Sequence, residues 1–333
     1  MNANLNSLLI AVLATFPAGA TLNAATLDLP TADDALVGES QITTARYEDT
    51  LIDIARLHGL GFNEIRHANP KVDAWLPGAG TKVILPMRHI LPDAPRDGIV
   101  INVAEMRLYY YPKARSGEPP QVVTYPVSIG RGEWQTPLMT TEITSKVKDP
   151  TWYPPESVRK EHAADGDPLP KAVPPGPKNP LGGYAMRLGI PSYLIHGTNK
   201  PYGIGMQVTH GCIRLYPEEI EALYNAVSVG TPVRIVNQSY KAGWHDGELY
   251  LEVHAPLSDG SDAVPTQNLT PVVARVIAAT EGREGYEVDW DKVRDIVNEQ
   301  AGMPVPAGRS SGKIHAPQTF VAQTEAPGGG QAQ

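Results

Sequence analysis

Proline and glycine limit what this chain can build: 32 prolines and 31 glycines are spread through 333 residues. Proline inside a helix removes a backbone donor and clashes with the preceding turn, while glycine adds chain entropy that helix formation must remove. This argues against a helical bundle and predicts many loops, in more than one domain at this length. The net charge of −8 provides no basic field for phosphates, which argues against a nucleic-acid partner. A single cysteine, Cys212, excludes an intramolecular disulfide and leaves a thiol whose surroundings decide whether it reacts.

Those surroundings are unusual in composition. Residues 193–215 read YLIHGTNKPYGIGMQVTHGCIRL, placing His196 and His210 upstream of Cys212, with Gly197, Gly203, Gly205 and Gly211 among them. A thiol becomes a strong nucleophile as a thiolate, and a nearby imidazole can take its proton. His196 follows the apolar run Tyr193-Leu194-Ile195, which suits the end of a buried strand, and Thr209-His210-Gly211-Cys212 reads as a tight turn. Three readings are open: an inert buried thiol, a zinc site made by His196, His210 and Cys212 with a water in fourth place, or a nucleophile with its base. The absence of any C-x-x-C pair speaks against structural zinc.

His196-Gly197-Thr198 followed, after a spacer, by Thr209-His210-Gly211-Cys212-Ile213-Arg214-Leu215 resembles the active-site signature of the L,D-transpeptidases, the YkuD-type family of bacterial cell-wall enzymes. The phrase SIGRGEWQTPL at residues 128–138 also resembles a turn of that family. The resemblance covers about 98–237 and implies a mainly β domain, a β-sandwich or partly open barrel with small helices. It implies that Cys212 is the nucleophile, His196 the general base, and His210 and Gly211 supporting catalytic residues. Substrate contacts are expected from Arg214, Thr209, Gly197 and Trp152. Arg214 would hold a substrate carboxylate or brace the turn, unless it belongs to a structural ion pair.

The implied reaction needs neither cofactor nor metal. The thiolate attacks the diamino-acid carbonyl of a peptidoglycan stem peptide, D-alanine leaves, and the acyl group passes from Cys212 to an amine. Backbone N–H groups of Gly211 and Cys212 are expected to face the oxyanion. The acceptor would be a second stem, giving a 3-3 cross-link, or an outer-membrane lipoprotein; water would make the same site an L,D-carboxypeptidase. Some lipoprotein-attaching relatives carry Ser at the position of His210, so the acceptor stays open.

The rest of the chain reads as targeting and support. Residues 1–25 look like a signal peptide, with an apolar run over 8–16 and cleavage after Ala18-Gly19-Ala20 or Leu22-Asn23-Ala24, so a periplasmic location is expected. No run approaches the roughly 18 apolar residues of a membrane span. Residues 41–87 predict strand, helix, helix, strand, a small α+β unit. Asp49-Thr50-Leu51, Ala68-Asn69-Pro70, Leu76-Pro77-Gly78 and Val83-Ile84-Leu85-Pro86 there resemble a LysM module, which implies binding to glycan strands. The competing readings are a purely structural unit or, for the whole chain, a non-catalytic glycan-binding wall protein. Residues 88–97 read as a linker. The proline-rich segment 148–183, with a short helix near 156–162, is too long for an ordinary connection and is expected to lie over the site as a lid, Trp152 walling the groove. Residues 238–300 predict one strand, with His254 at the surface, then a helical extension, and 301–333 a disordered tail.

Overall fold

The computed structural model describes residues 25–30, 34–114, 116–258 and 269–311. Both expected signal-cleavage sites lie outside the described residues.

The chain begins with β1 (Ala25–Asp28) and β2 (Leu36–Val37), then β3 (Gln41–Thr44), α1 (Leu51–Leu57), α2 (Phe62–Ala68), β4 (Lys82–Leu85) and β5 (His89–Ile90). Helix α1 starts where Thr50 and Asp53 satisfy each other's backbone N–H groups, both at 3.1 Å. Its Leu51 and Ile54 pack with Ile65 of α2 and with Val83 and Leu85 of β4. The buried Asn69 ends α2 and joins it to β4, donating to the Ile65 and Ile84 carbonyls and accepting from the Ile84 N–H, all at 2.8 Å. Strands β3 and β4 pair antiparallel, so the strand-helix-helix-strand order expected over 41–87 forms.

The central unit follows as β6 (Gly98–Asn102), β7 (Arg107–Tyr111), β8 (Gln121–Pro126), β9 (Ile129–Gly130), β10 (Met139–Lys148), α3 (Glu156–Ala164), β11 (Tyr184–Leu188), β12 (Leu194–His196), β13 (Gln207–Thr209), β14 (Ile213–Arg214), α4 (Pro217–Ala226) and β15 (Pro232–Val236). It is mainly β, as expected. One curled nine-stranded sheet runs β1-β8-β7-β6-β15-β10-β11-β12-β14, and β9 pairs with β13 beside it. Helix α4 has proline at its first position and Glu218 and Glu219 in its first turn, and it buries Ile220 and Leu223 against Ile143, Met186, Ile195 and Ile213 of the sheet.

The C-terminal part corrects the sequence reading. The single strand expected near 243–256 is a hairpin, β16 (Tyr240–His245) and β17 (Glu248–Val253), turned by Asp246 and Gly247, both at positive φ. Asp-Gly is the preferred pair for such a turn. Helix α5 (Thr270–Thr280), β18 (Tyr286–Val288), α6 (Trp290–Glu299) and β19 (Val305–Ser310) complete a four-stranded sheet, β16-β17-β19-β18, so this is an α+β unit rather than a helical extension. Nor is the chain disordered from 301. The Pro-Gly composition there conceals a strand that lies between β17 and β18, with Ala307 in the core and Gly308 so close to β18 that an added Cβ would meet the Glu287 carbonyl at 2.6 Å. Residues 312–333 lie outside the described residues.

The expected linker is also structural. His89, Ile90 and Leu91 are buried, and β5 pairs with β2. Lys241 donates to the Ile90 carbonyl at 2.6 Å and lies 2.7 and 2.8 Å from Glu105 and Glu252. His254 is not free at the surface; its Nε2 meets Glu252 at 2.6 Å. Glu64 of α2 holds Arg107 of β7 at 2.7 Å, so buried charge pairs join the three parts of the chain. Among the described residues no helix is long and apolar enough to cross a membrane.

Candidate active site

Strands β12 and β14 run parallel, with Ile195 opposite Ile213 and His196 opposite Arg214. Their apolar residues enter the core, so the chemistry-bearing residues at the strand ends are brought to one place. Cys212 directly precedes β14 in a turn braced by Thr209, whose hydroxyl donates to the Cys212 carbonyl at 2.6 Å and accepts from the Gly211 N–H at 3.2 Å. Gly211 has φ +99°, and a Cβ there would lie 2.8 Å from the Tyr193 ring. Glycine is required by both conformation and space.

Cys212, His196, His210, Thr209, Arg214 and Trp152 line one cavity of about 380 Å³. Gly197 and Gly211 are not among its lining residues. The carbonyl of Gly197 is 2.7 Å from His196 Nδ1. A carbonyl only accepts, so Nδ1 carries the hydrogen and Nε2 is left as the basic nitrogen. Gly197 has no room for a side chain, since a Cβ would sit 2.9 Å from Ile220.

Burial dominates the electrostatics. His196 is buried, and burial followed by the charge of Arg214 pushes its pKa down to about 3. Burial pushes the Cys212 thiol up, while the Leu194 N–H and Arg214 pull the other way. Both effects disfavour a preformed thiolate–imidazolium pair. Cys212 Sγ instead points at the Ser192 carbonyl, 3.5 Å away. Burial also lowers Arg214 from the usual arginine range. Its Nε has no hydrogen-bond partner, and it forms no salt bridge among the described residues, which removes the structural ion pair.

His196, His210 and Cys212 do not form a converging ligand trio. Among the described residues, the one trio of His, Cys or carboxylate side chains with converging ligand atoms is His89, Glu105 and Glu252, far from the thiol in sequence and pinned by Lys241. His210 points elsewhere, its Nε2 lying 2.6 Å from Glu161 of α3.

The segment 148–183 forms one wall of the cavity through Thr151, Trp152, Tyr153, Pro155, Ser157 and Val158. Its prolines lack backbone donors, and the buried Asn179 supplies them: its amide nitrogen donates to the carbonyls of Pro150, Val173 and Pro174 at 2.7, 3.2 and 3.2 Å. Trp152 and Val173 add a reciprocal pair of backbone bonds at 2.9 and 2.8 Å. Sequence reasoning missed Glu161, Arg131 and Trp134. Glu161 pairs with Arg131 and His210, and Trp134 packs edge-on to His210 with centroids 5.1 Å apart. Arg131 and Trp134 stand in the phrase at 128–138 that attracted notice, but nothing local marks Glu161.

A thiol, an imidazole of fixed tautomer and an uncompensated guanidinium in one walled cavity suit acyl transfer through sulfur. Comparison with known proteins agrees. A family model of the L,D-transpeptidase catalytic domain matches residues 96–235, and one of the L,D-transpeptidase C-terminal domain matches 243–306. The chain is 39% identical over 310 residues to the protein of Escherichia coli K12 named Probable L,D-transpeptidase YbiS, covering 92% of this chain and 99% of that one. It is equally 39% identical, over 290 residues, to the one named Probable L,D-transpeptidase YcfS of the same strain, covering 85% and 88% of the two chains. The one named Probable L,D-transpeptidase ErfK/SrfK, of Salmonella typhimurium LT2, is 39% identical over 292 residues, covering 84% and 91%. The chain belongs to the L,D-transpeptidase family and is an enzyme of that type.

Proposed function

We propose that this enzyme transfers peptidoglycan stem peptides through a thioester on Cys212, with His196 as base. One observation carries the assignment: Cys212 and His196 line the same cavity, and the Gly197 carbonyl takes up Nδ1, leaving Nε2 as the nitrogen able to accept the thiol proton. Because burial disfavours both charged forms, the proton moves to His196 as sulfur attacks the diamino-acid carbonyl, and no ion pair waits in the free enzyme. D-Alanine leaves with that proton. The Cys212 N–H serves the oxyanion; the Gly211 N–H, expected to share that task, is engaged by Thr209.

Arg214 holds a substrate carboxylate, the partner its half-buried guanidinium, with an unbonded Nε, lacks. Thr209 and Gly211 shape the turn and Gly197 orients the base, so Thr209 and Gly197 act by positioning more than by touching substrate, while Trp152 walls the groove. An amine then resolves the thioester, either from a second stem or from a lipoprotein; resolution by water would release a shortened stem.

Residues 41–87 serve as a glycan-strand anchor in this reading. Tyr47, Trp75 and Leu76 there are exposed at 85%, 62% and 79%, and aromatic faces suit sugar rings. A signal peptide in 1–25 directs the chain to the periplasm.

The test is intact-mass measurement after incubation with a carbapenem, a class that acylates this family. Wild type gains one adduct, Cys212→Ala none, and His196→Ala gains it slowly. An adduct retained by Cys212→Ala sinks the assignment. Sacculus pull-down with Trp75→Ala tests the anchor separately, and undiminished binding argues against it.

A further inference from the structure

Helix α3 is fastened to the turn bearing Cys212 chiefly through Glu161, with the His162 ring tilted against His210 at a centroid distance of 6.5 Å. Glu161 receives His210 Nε2 at 2.6 Å on one oxygen and Arg131 on the other. Arg131 is itself anchored to that turn, its backbone N–H donating to the Thr209 carbonyl at 3.1 Å. These two partners hold the Glu161 carboxyl below the usual carboxylate range, Arg131 more than His210. Within α3 only Val158 is buried, so apolar contact grips the helix weakly. The base of the segment is different, being fixed by Asn179 and by the Trp152–Val173 bonds. A firmly held base and a tip held by one partly exposed charge cluster describe a wall that can swing. Such a cluster costs little to break, as stem peptides must enter and leave.

We propose that Glu161 is a positioning residue that sets how the acyl-enzyme is resolved. This rests on Cys212 being the acyl carrier. Latched to His210 and Arg131, α3 keeps its wall against the thioester and restricts water; unlatched, it exposes the thioester. In either resolution the carbon–sulfur bond breaks and a carbon–nitrogen or carbon–oxygen bond forms. The proton released by the amine or water passes to His196 Nε2 and then to Sγ, restoring the thiol.

The experiment incubates the full chain with a diamino-acid-containing disaccharide tetrapeptide as both donor and acceptor, and measures cross-linked dimer against hydrolysed tripeptide by liquid chromatography and mass spectrometry. Glu161→Ala raises the tripeptide-to-dimer ratio by about fivefold, the size expected for a partly exposed charge pair. Glu161→Gln, which keeps an accepting oxygen, gives a smaller rise, and Arg131→Met shifts the ratio in the same direction. Carbapenem acylation of Cys212 stays at least as fast as in wild type in the Glu161 variants. A wild-type ratio in both Glu161→Ala and Arg131→Met overturns the latch, as does an equal fall of both products, the mark of a merely structural role. Persistence of both products in Cys212→Ala would instead sink the acyl-carrier reading.

Discussion

His196 and Arg214 are register partners on neighbouring parallel strands, so the buried imidazole stands beside a half-buried positive charge with no carboxylate of its own among the described residues. That charge helps keep the imidazole neutral and at the same time favours the thiolate of Cys212.

The free enzyme should therefore show no activated thiol at neutral pH. Iodoacetamide alkylation of Cys212 is expected to stay slow through neutrality and to climb only above the usual thiol range. Arg214→Met slows it further at each pH, because the neighbouring charge that favours the thiolate is gone. His196 stays neutral above about pH 3 and contributes no acid limb to turnover between pH 5 and 8. Fast alkylation at pH 6 would mean that an ion pair is preformed.

Removing the guanidinium should weaken substrate binding more than it harms folding. Arg214→Met is expected to raise KM for tetrapeptide by about 10- to 100-fold, the size of a hydrogen bond to a charged group. Arg214→Lys recovers little, since an ammonium cannot copy a planar fork. An unchanged KM in both variants would return Arg214 to a bracing role.

Folding stability should fall on mild acidification. His196 and His89 are buried with pKa values lowered chiefly by burial, so the unfolded chain binds protons near pH 6.5 that the folded chain refuses. Their contribution is complete above pH 6.5 and is lost as pH drops toward the folded values. Each histidine adds a slope of up to about 1.4 kcal/mol per pH unit. Urea midpoints at pH 7.5 and 5 check this, and His89→Gln should show a shallower fall.

Lys241 is buried between Glu105 and Glu252, where burial lowers its pKa but the two carboxylates prevail and raise it. Lys241→Met leaves two buried carboxylates without their cation and should cost about 3–5 kcal/mol in urea unfolding. Adding Glu105→Gln should restore part of the loss. A single-variant cost below 1 kcal/mol (about a surface pair) would show that water reaches the cluster.

Gly205, on the loop between His196 and Cys212, carries φ +81° and faces α2, where a Cβ would lie 2.5 Å from the Phe62 nitrogen. The Phe62 and Asn63 N–H groups donate to the Ile204 and Gly205 carbonyls at 3.0 and 3.2 Å. Gly205→Ala is therefore expected to lower the melting temperature and to reduce kcat through the displaced loop, with about 1–3 kcal/mol of backbone strain alone. Wild-type kcat in a destabilised variant would show that the first unit does not brace the active-site loop.

The sequence by itself determined what adjacent residues can decide. The helix cap at Asp49-Thr50, Pro217 opening α4, the apolar runs of β6 and β7, and the His196 to Arg214 signature are all local patterns, readable because helix caps and apolar runs involve neighbours in the chain. Composition misled where a strand's partners are remote: β19 is rich in Pro and Gly, and its place between β17 and β18 follows from ladders that only those strands can supply. His89 to Leu91 read as linker for the same reason, since β2, Glu252 and Lys241 bury them from far along the chain. Glu161 carries no local mark. Its meeting with His210, 49 residues away, depends on how the proline-rich segment folds back around Asn179, and only tertiary structure can place a charge in that way.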